Sequence, residues 1–146
     1  MFNNSKSLGI ADDSGFYFAQ EMLDGDPTAG INFDRLQYHP KYGYIIFEYL
    51  LCDEKQLVNP FTSHPNRYWY KNKRKFLALW KVSQDLNARL FLVNYAKLGT
   101  KHEDKVKLIY VKEMNETGIK EEKDIEYTRE EFKKFFKNLN KECLEG

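Results

Sequence analysis

The chain has few cysteines and no long apolar run. Only two of its 146 residues are cysteines, Cys52 and Cys143, and they form no disulfide framework and no zinc spacing. No stretch approaches the ~18 consecutive apolar residues that cross a bilayer, and the mean hydropathy is −0.70. Residues 1–9 contain no apolar segment typical of a secretory signal. We therefore expect a reduced, cytoplasmic protein that does not enter a membrane.

Several catalytic classes lack their characteristic residues. The chain has eight glycines, and they form no phosphate-binding loop. The three histidines (His39, His64 and His102) fall in predicted turns or loops, and neither cysteine lies in a recognisable motif. Catalysis by a Ser–His or Cys–His pair is therefore disfavoured.

The composition is that of a folded domain. Hydrophobic residues make up 42% of the chain and aromatic residues 16%, which excludes a disordered protein. A length of 146 residues is typical of one domain with a substantial core. We expect residues 1–146 to form a single domain in which residues 1–9 are loosely ordered.

Hydrophobic periodicity predicts an α/β fold with the order α-β-β-α-β-β-α. A central mixed sheet of about four strands would be flanked by helices. Residues 114–127 are polar and are predicted to form a loop. The predicted elements are a helix that ends near residue 24 and is followed by Gly25 at its C-terminal cap, strands at 31–38 and 43–51, a helix from 66 to 87 capped by Asn66, strands at 88–96 and 105–113, and a final helix opened by a Thr128–Glu131 capping box. The apolar positions of the final helix are Phe132, Phe135, Phe136, Leu139 and Cys143.

The net charge of +1 conceals a strong asymmetry along the chain. Residues 1–54 carry a net charge of −6, whereas residues 55–84 carry seven positive charges and no negative one. A basic segment of this length indicates an anionic partner. A solvated helix face is the alternative that charge alone leaves open.

The basic segment includes an amphipathic helix. Arg67, Lys71 and Arg74 fall on one stripe of the helical wheel, and Trp69 and Phe76 fall on the opposite, apolar arc. We interpret the apolar arc as core. Basic groups interleaved with aromatic rings suit phosphate contacts and base stacking. The candidate nucleic-acid-binding residues are His64, Arg67, Tyr70, Lys71, Lys73 and Arg74.

Two acidic residues are predicted to meet across a hairpin. If Tyr38 faces Tyr44, the period of two along each strand places Asp34 opposite Glu48 on the same side. Glu48 lies in an otherwise apolar strand, and burial of its charge without a partner costs several kcal/mol. A divalent cation, an arginine or lysine, or a proton would each relieve that cost. Glu21, near the end of the first helix, is a third acid that a helix before the hairpin would aim at the same place, or else an ordinary surface glutamate.

Residues 15–95 resemble the PD-(D/E)XK, or restriction-endonuclease-like, nuclease superfamily. The resemblance rests on Glu21 in an N-terminal helix, Asp34 on a strand and Ile45-Ile46-Phe47-Glu48 on the next strand, followed by a helix and a strand. One position departs from the motif, because Leu50 stands where the superfamily has lysine. Lys75 or Lys73 on the following helix is the expected replacement. Asp53-Glu54-Lys55 offers a less favoured alternative beyond the apolar run.

The resemblance implies metal-dependent hydrolysis of phosphodiester bonds in nucleic acid, with DNA favoured over RNA. Asp34 and Glu48 would hold Mg²⁺ or Mn²⁺, Glu21 would assist, and Lys75 would stabilise the developing negative charge. Leu50 in place of lysine also fits a module that binds nucleic acid without cleaving it. The acidic first third fits a protein-interaction or inhibitor domain, of the kind that mobile elements encode. A homodimer or a protein partner is expected by analogy only.

Overall fold

The computed structural model describes residues 13–145, so the expectation for residues 1–9 lies outside the described residues. This part of the chain forms one α/β domain with a five-stranded sheet and three α-helices. A short 3-10 helix (Pro65–Tyr68) leads into the second α-helix. The elements are α1 (Ser14–Leu23), β1 (Arg35–His39), β2 (Gly43–Leu51), α2 (Trp69–Asp85), β3 (Arg89–Tyr95), β4 (Lys105–Asn115), β5 (Gly118–Thr128) and α3 (Arg129–Glu145).

The strands lie in the sheet in chain order, from β1 at one edge to β5 at the other. The pair β2–β3 is parallel, and α2 makes the crossover that a parallel connection requires. The other neighbouring pairs are antiparallel, so the sheet is mixed as predicted. Tyr38 pairs with Tyr44 and Leu36 pairs with Ile46, which confirms the predicted hairpin register.

The prediction of a loop at residues 114–127 and of about four strands is wrong. Most of this segment is β5, which forms a hairpin with β4 through a turn in which the Thr117 N–H bonds the Asn115 side chain at 2.9 Å. β5 is an edge strand in which six of eleven residues are charged, so it has little of the apolar pattern that identifies a strand. Backbone pairing to β4 holds it, and charged side chains are usual on exposed edges.

The two faces of the sheet carry separate cores because side chains alternate sides along each strand. On one face α2 buries Trp69, Phe76 and Leu79 against the sheet, as the helical wheel predicts. On the other face α3 packs an aromatic cluster against the sheet, and the periodic positions Phe132, Phe135, Phe136, Leu139 and Cys143 face inward as predicted.

The capping prediction for α3 is confirmed and that for α2 is wrong. The Thr128 N–H donates to Glu131 at 2.7 Å, and the Glu131 N–H donates to the Thr128 hydroxyl at 3.1 Å. The N-cap of α2 is Tyr68, which makes no side-chain capping bond, and His64 instead caps the preceding 3-10 helix by accepting the Asn66 N–H. The Asn66 side chain instead bonds both backbone groups of Ile119 on β5, at 2.9 and 3.1 Å. This contact ties the segment before α2 to the edge strand.

α1 buries none of its residues. It ends at Asp24 in the left-handed conformation, and Gly25 follows with φ of 93°, as predicted for a glycine after a helix. Its large apolar side chains, Phe16, Phe18 and Met22 among them, are exposed. None of the helices between residues 13 and 145 has both the length and the hydropathy needed to cross a bilayer.

Candidate active site

Asp34 and Glu48 lie side by side at one end of the β1–β2 hairpin. The last observed pair of the hairpin is Arg35 with Phe47, and one residue further the same alternation places Asp34 opposite Glu48. The Tyr49 N–H donates to Asp34 Oδ2 at 2.8 Å, so Asp34 is held against β2. The predicted meeting of these two acids is therefore present in the fold.

Glu48 is a carboxylate in the interior of the sheet. It is only 4% exposed and shares its face of β2 with Ile46 and Leu50, which belong to the core beneath α2. Its position is fixed by backbone pairing to Leu92 on the central strand β3. Such a position normally takes an apolar residue, and a charge there needs a partner.

Lys75 supplies that partner. Its Nζ lies 2.7 Å from Glu48 Oε1, and the lysine side chain is 45% exposed. Lys75 was one of two lysines expected to reach this site, and Lys73 instead lies 3.9 Å from the exposed Glu116. The structure thus brings Asp34, Glu48 and Lys75 together. The two acids belong to the β1–β2 hairpin, and the lysine reaches Glu48 from α2.

Half of the Glu48 carboxylate remains without a hydrogen bond. Oε2 is buried and accepts no bond from any described residue. Burial raises the pKa of Glu48, while the hydrogen bond and the charge of Lys75 lower it. The charge of Asp34 raises that pKa again, and the Asp34 backbone N–H lowers it. The net result is a raised pKa for Glu48. Its ionised form is therefore poorly stabilised, and a further cation would stabilise it.

Glu21 does not join this pair. It lies on the exposed α1, where no side chain is buried. Within residues 13–145, no three His, Cys, Asp or Glu side chains are grouped so that they could hold a metal ion. The structure therefore offers two carboxylates at this point, and Glu21 is not grouped with them.

The basic residues of α2 lie on its outer side. Tyr70 is 78% exposed, and Lys71 and Arg74 are exposed without an ion pair to any described residue. Arg67, in the 3-10 helix that leads into α2, is exposed and donates to the Ser63 hydroxyl at 3.4 Å. We call Arg67, Tyr70, Lys71 and Arg74 the α2 ridge. It forms one accessible basic surface, and its use for binding stays a prediction.

His64 is engaged within the protein. Its Nδ1 accepts the Asn66 N–H at 3.0 Å, so the proton of the neutral ring lies on Nε2, which bonds Glu122 at 2.5 Å. Both nitrogens therefore have partners, and the half-buried ring fixes the entry into α2. This geometry shows that His64 helps to position the start of the helix, and its contact with nucleic acid stays a prediction.

Sequence reasoning missed a polar cluster next to His64. Glu122 and Asp124 project from β5 on the same face, and Lys107 Nζ lies 3.5 Å from Asp124 and 3.4 Å from the Phe61 carbonyl. Burial and the adjacent Glu122 raise the pKa of Asp124 to about 6. Burial alone would raise the pKa of Glu122, but its hydrogen bonds with Asp124 and His64 lower the pKa below its ordinary value. The only sequence signal was two acids spaced by two in a segment interpreted as a loop.

Comparisons of the chain with protein-family models, with curated proteins and with solved structures yield no match. The interpretation of this site therefore rests on its own geometry.

Proposed function

We propose that the protein hydrolyses phosphodiester bonds in nucleic acid with the help of Mg²⁺ or Mn²⁺. The observation that carries the proposal is the buried Glu48, which bonds Lys75 through one oxygen, leaves the other without a partner and lies opposite Asp34. Two acids and a lysine beside a buried strand are more than packing requires, since an apolar residue at position 48 would cost less free energy.

The donor set fits a hard divalent cation. Asp34 and Glu48 offer carboxylate oxygens, which such cations prefer, and the unpartnered Glu48 Oε2 is the atom best placed to gain from one. Asp34 has one oxygen bonded to the Tyr49 N–H, and that bond orients its carboxylate. When bound, the cation would lower the pKa of a water molecule and neutralise charge on the phosphate.

Lys75 has two tasks in this proposal. It stabilises the ionised form of Glu48 in the resting protein, since its charge and hydrogen bond lower the pKa of that acid. Its partial exposure also allows it to contact a phosphate oxygen and to stabilise charge that develops there. A lysine delivered by α2 thereby replaces the one absent from position 50.

The order of the elements supports the proposal, which includes the restriction-endonuclease-like arrangement that the resemblance implies. A strand preceded by the aspartate, a strand carrying the glutamate, a crossover helix and a parallel strand follow in the expected order. The α2 ridge would bind the phosphate backbone, with DNA favoured over RNA. The two cysteines are free, which agrees with a cytoplasmic setting.

The test is a cleavage assay on plasmid DNA, single-stranded DNA and RNA with Mg²⁺, with Mn²⁺ and with EDTA. The wild-type protein should cleave only with metal. Asp34→Asn and Glu48→Gln keep hydrogen-bonding side chains of the same size, and each should lower the rate about 100-fold or more. The control Asp85→Asn removes an exposed acid of α2 and should leave the rate unchanged.

Two results would overturn the proposal. One is wild-type cleavage that does not respond to EDTA or that survives in Asp34→Asn. The other is binding of nucleic acid with no cleavage in any metal, which would favour a non-catalytic binding module. Circular dichroism of each variant distinguishes loss of activity from loss of fold.

A further inference from the structure

Three basic side chains and two tyrosines form a continuous row on the α3 side of the sheet, next to the aromatic cluster against which Tyr110 packs. Lys41 and Arg89 lie over the Tyr42 ring, at 5.4 and 4.1 Å from its centre. Arg89 and Lys112 lie over the Tyr110 ring, at 5.6 and 4.1 Å. We call these five residues the cation row.

The row places like charges next to each other. Leu90 pairs with Val111, so the preceding residue of β3, Arg89, lies opposite the following residue of β4, Lys112, on the α3 side. Like charges at opposed positions of a sheet destabilise it. Lys123 lies opposite Tyr110 on the next strand and adds a further exposed cation to the same area.

No described carboxylate forms an ion pair with these cations. Among residues 13–145, none lies within 4.0 Å of a nitrogen of Lys41, Arg89 or Lys112. At the Tyr42 end of the row, Glu142 bonds His39 at 2.7 Å rather than a residue of the row. The partly buried Arg89 guanidinium also donates no hydrogen bond to a described residue, so its N–H groups remain available to a ligand.

We propose that the cation row binds the phosphate backbone of single-stranded nucleic acid. The tyrosine rings hold the cations in fixed places, so little side-chain freedom is lost on binding. The guanidinium of Arg89 lies 4.1 Å from the Tyr42 ring centre, and its planar set of N–H donors suits bidentate contact with a phosphate. The polymer would relieve the repulsion that the free protein retains.

Nucleic acid fits the row better than an acidic protein does. Protein interfaces are depleted of charge at their centre and are anchored by exposed aromatic or apolar groups. Here cations lie over both tyrosine rings and the Tyr42 ring also stacks on His39, so neither ring offers such an anchor. Interfaces with nucleic acid are instead polar and positively charged.

The row is a second surface, distinct from the proposed active site. Arg89 and Tyr110 lie on the α3 side, whereas Glu48 and Lys75 lie on the α2 side. The inference shares its class of ligand with the proposed function but does not require cleavage. The row would hold a part of the strand remote from the bond that is cut.

The test is fluorescence anisotropy with a labelled single-stranded DNA oligonucleotide in EDTA, over a series of salt concentrations. Lys41→Gln/Lys112→Gln removes two exposed charges and should weaken binding about tenfold or more. The slope of log affinity against log salt should fall by roughly 1.4, since each lost contact contributes roughly 0.7 for a single strand. Arg89→Gln should weaken binding likewise. The matched control Lys133→Gln/Lys137→Gln removes two exposed charges of α3 and should change neither quantity appreciably.

Several results would overturn the inference. One is no binding by the wild-type protein, and another is an equal effect of the row variant and its α3 control. A third is competition by poly-glutamate as strong as that by unlabelled single-stranded DNA. Loss of binding only in Lys71→Gln/Arg74→Gln would assign the contact to the α2 ridge and would also count against the row. Cleavage is measured in a separate assay. If the cation row proves not to bind nucleic acid, the proposed function is unaffected, and if the protein proves not to cleave, binding by the row is unaffected.

Discussion

The Nζ of Lys75 on α2 lies 2.7 Å from Oε1 of Glu48 on β2, and this ion pair joins the helix to the centre of the sheet. The carboxylate is 5% exposed and the lysine 45% exposed, so the two charges do not share the same environment. The lysine remains open to solvent and ligand while the glutamate does not. Because Lys75 is exposed, it is able to contact a ligand as well as to stabilise the buried Glu48.

Removal of Lys75 should destabilise the protein in a pH-dependent way. Lys75→Ala leaves Glu48 buried without its cation, so we expect a loss of about 1–3 kcal/mol at pH 7, less than for fully enclosed pairs because the lysine is partly exposed. The loss should shrink towards pH 4, since a protonated Glu48 needs no cation. Urea unfolding at a series of pH values measures both effects.

A double variant and a control identify the cause of that loss. Lys75→Ala/Glu48→Gln should regain most of the lost stability, because the buried charge is then gone. Lys81→Ala breaks an exposed pair with Asp85 and should cost no more than about 0.5 kcal/mol. A loss in Lys75→Ala that is independent of pH and persists in the double variant would show that packing, rather than charge, is responsible.

The Glu122–Asp124 pair should make stability fall as pH rises from about 4 to about 6. The folded-state pKa of Asp124 is about 6, above its ordinary value of 3.8. In that interval the folded protein holds a proton that the unfolded chain has released, so deprotonation favours unfolding. Asp124→Asn cannot release this proton. The free energy of unfolding of Asp124→Asn minus that of the wild type should therefore increase as the pH rises from about 4 to about 6.

Urea midpoints at pH 4, 5, 6 and 7 would measure this difference. Glu126→Gln removes an exposed acid from the same strand and serves as the control. Parallel curves for Asp124→Asn and the wild type would contradict the prediction.

Gly118 should tolerate no side chain. It adopts φ of 139°, and an added Cβ would lie 2.5 Å from Asn66 Oδ1, which accepts the bond from Ile119. Gly118→Ala should therefore cost about 2–4 kcal/mol through strain and the loss of the clamp on β5. Gly99→Ala shares a positive φ of 84° but meets open space, so about 1 kcal/mol is expected. Equal losses in thermal unfolding would show that the contact with Asn66 is unimportant.

The fold was predictable wherever local chemistry and hydrophobic period agree. The apolar strands, the core face of α2 and the capping box at Thr128 each depend on neighbouring residues, and all are confirmed. β5 was missed because an edge strand is specified by its partner's backbone rather than by its own side chains. The role of Asn66 was missed for a similar reason, since its partner Ile119 lies in that same strand.

The candidate site was predictable in part. A hairpin register follows from turn length and alternation, so the meeting of Asp34 with Glu48 could be inferred before the fold was known. Lys75 was one of two lysines within reach, and only the rotation of α2 on the sheet decides between them. The cation row and the Glu122–Asp124 cluster join residues from three or more segments, which no local pattern reveals.

Binding of Mn²⁺ to the metal-free protein, followed by electron paramagnetic resonance or calorimetry, tests the central claim most directly. We expect the wild-type protein to bind Mn²⁺ and Asp34→Asn and Glu48→Gln each to weaken binding about tenfold or more, with Asp85→Asn unchanged. Absence of binding in the wild type, or equal affinity in all four proteins, would show that Asp34 and Glu48 do not form a metal site.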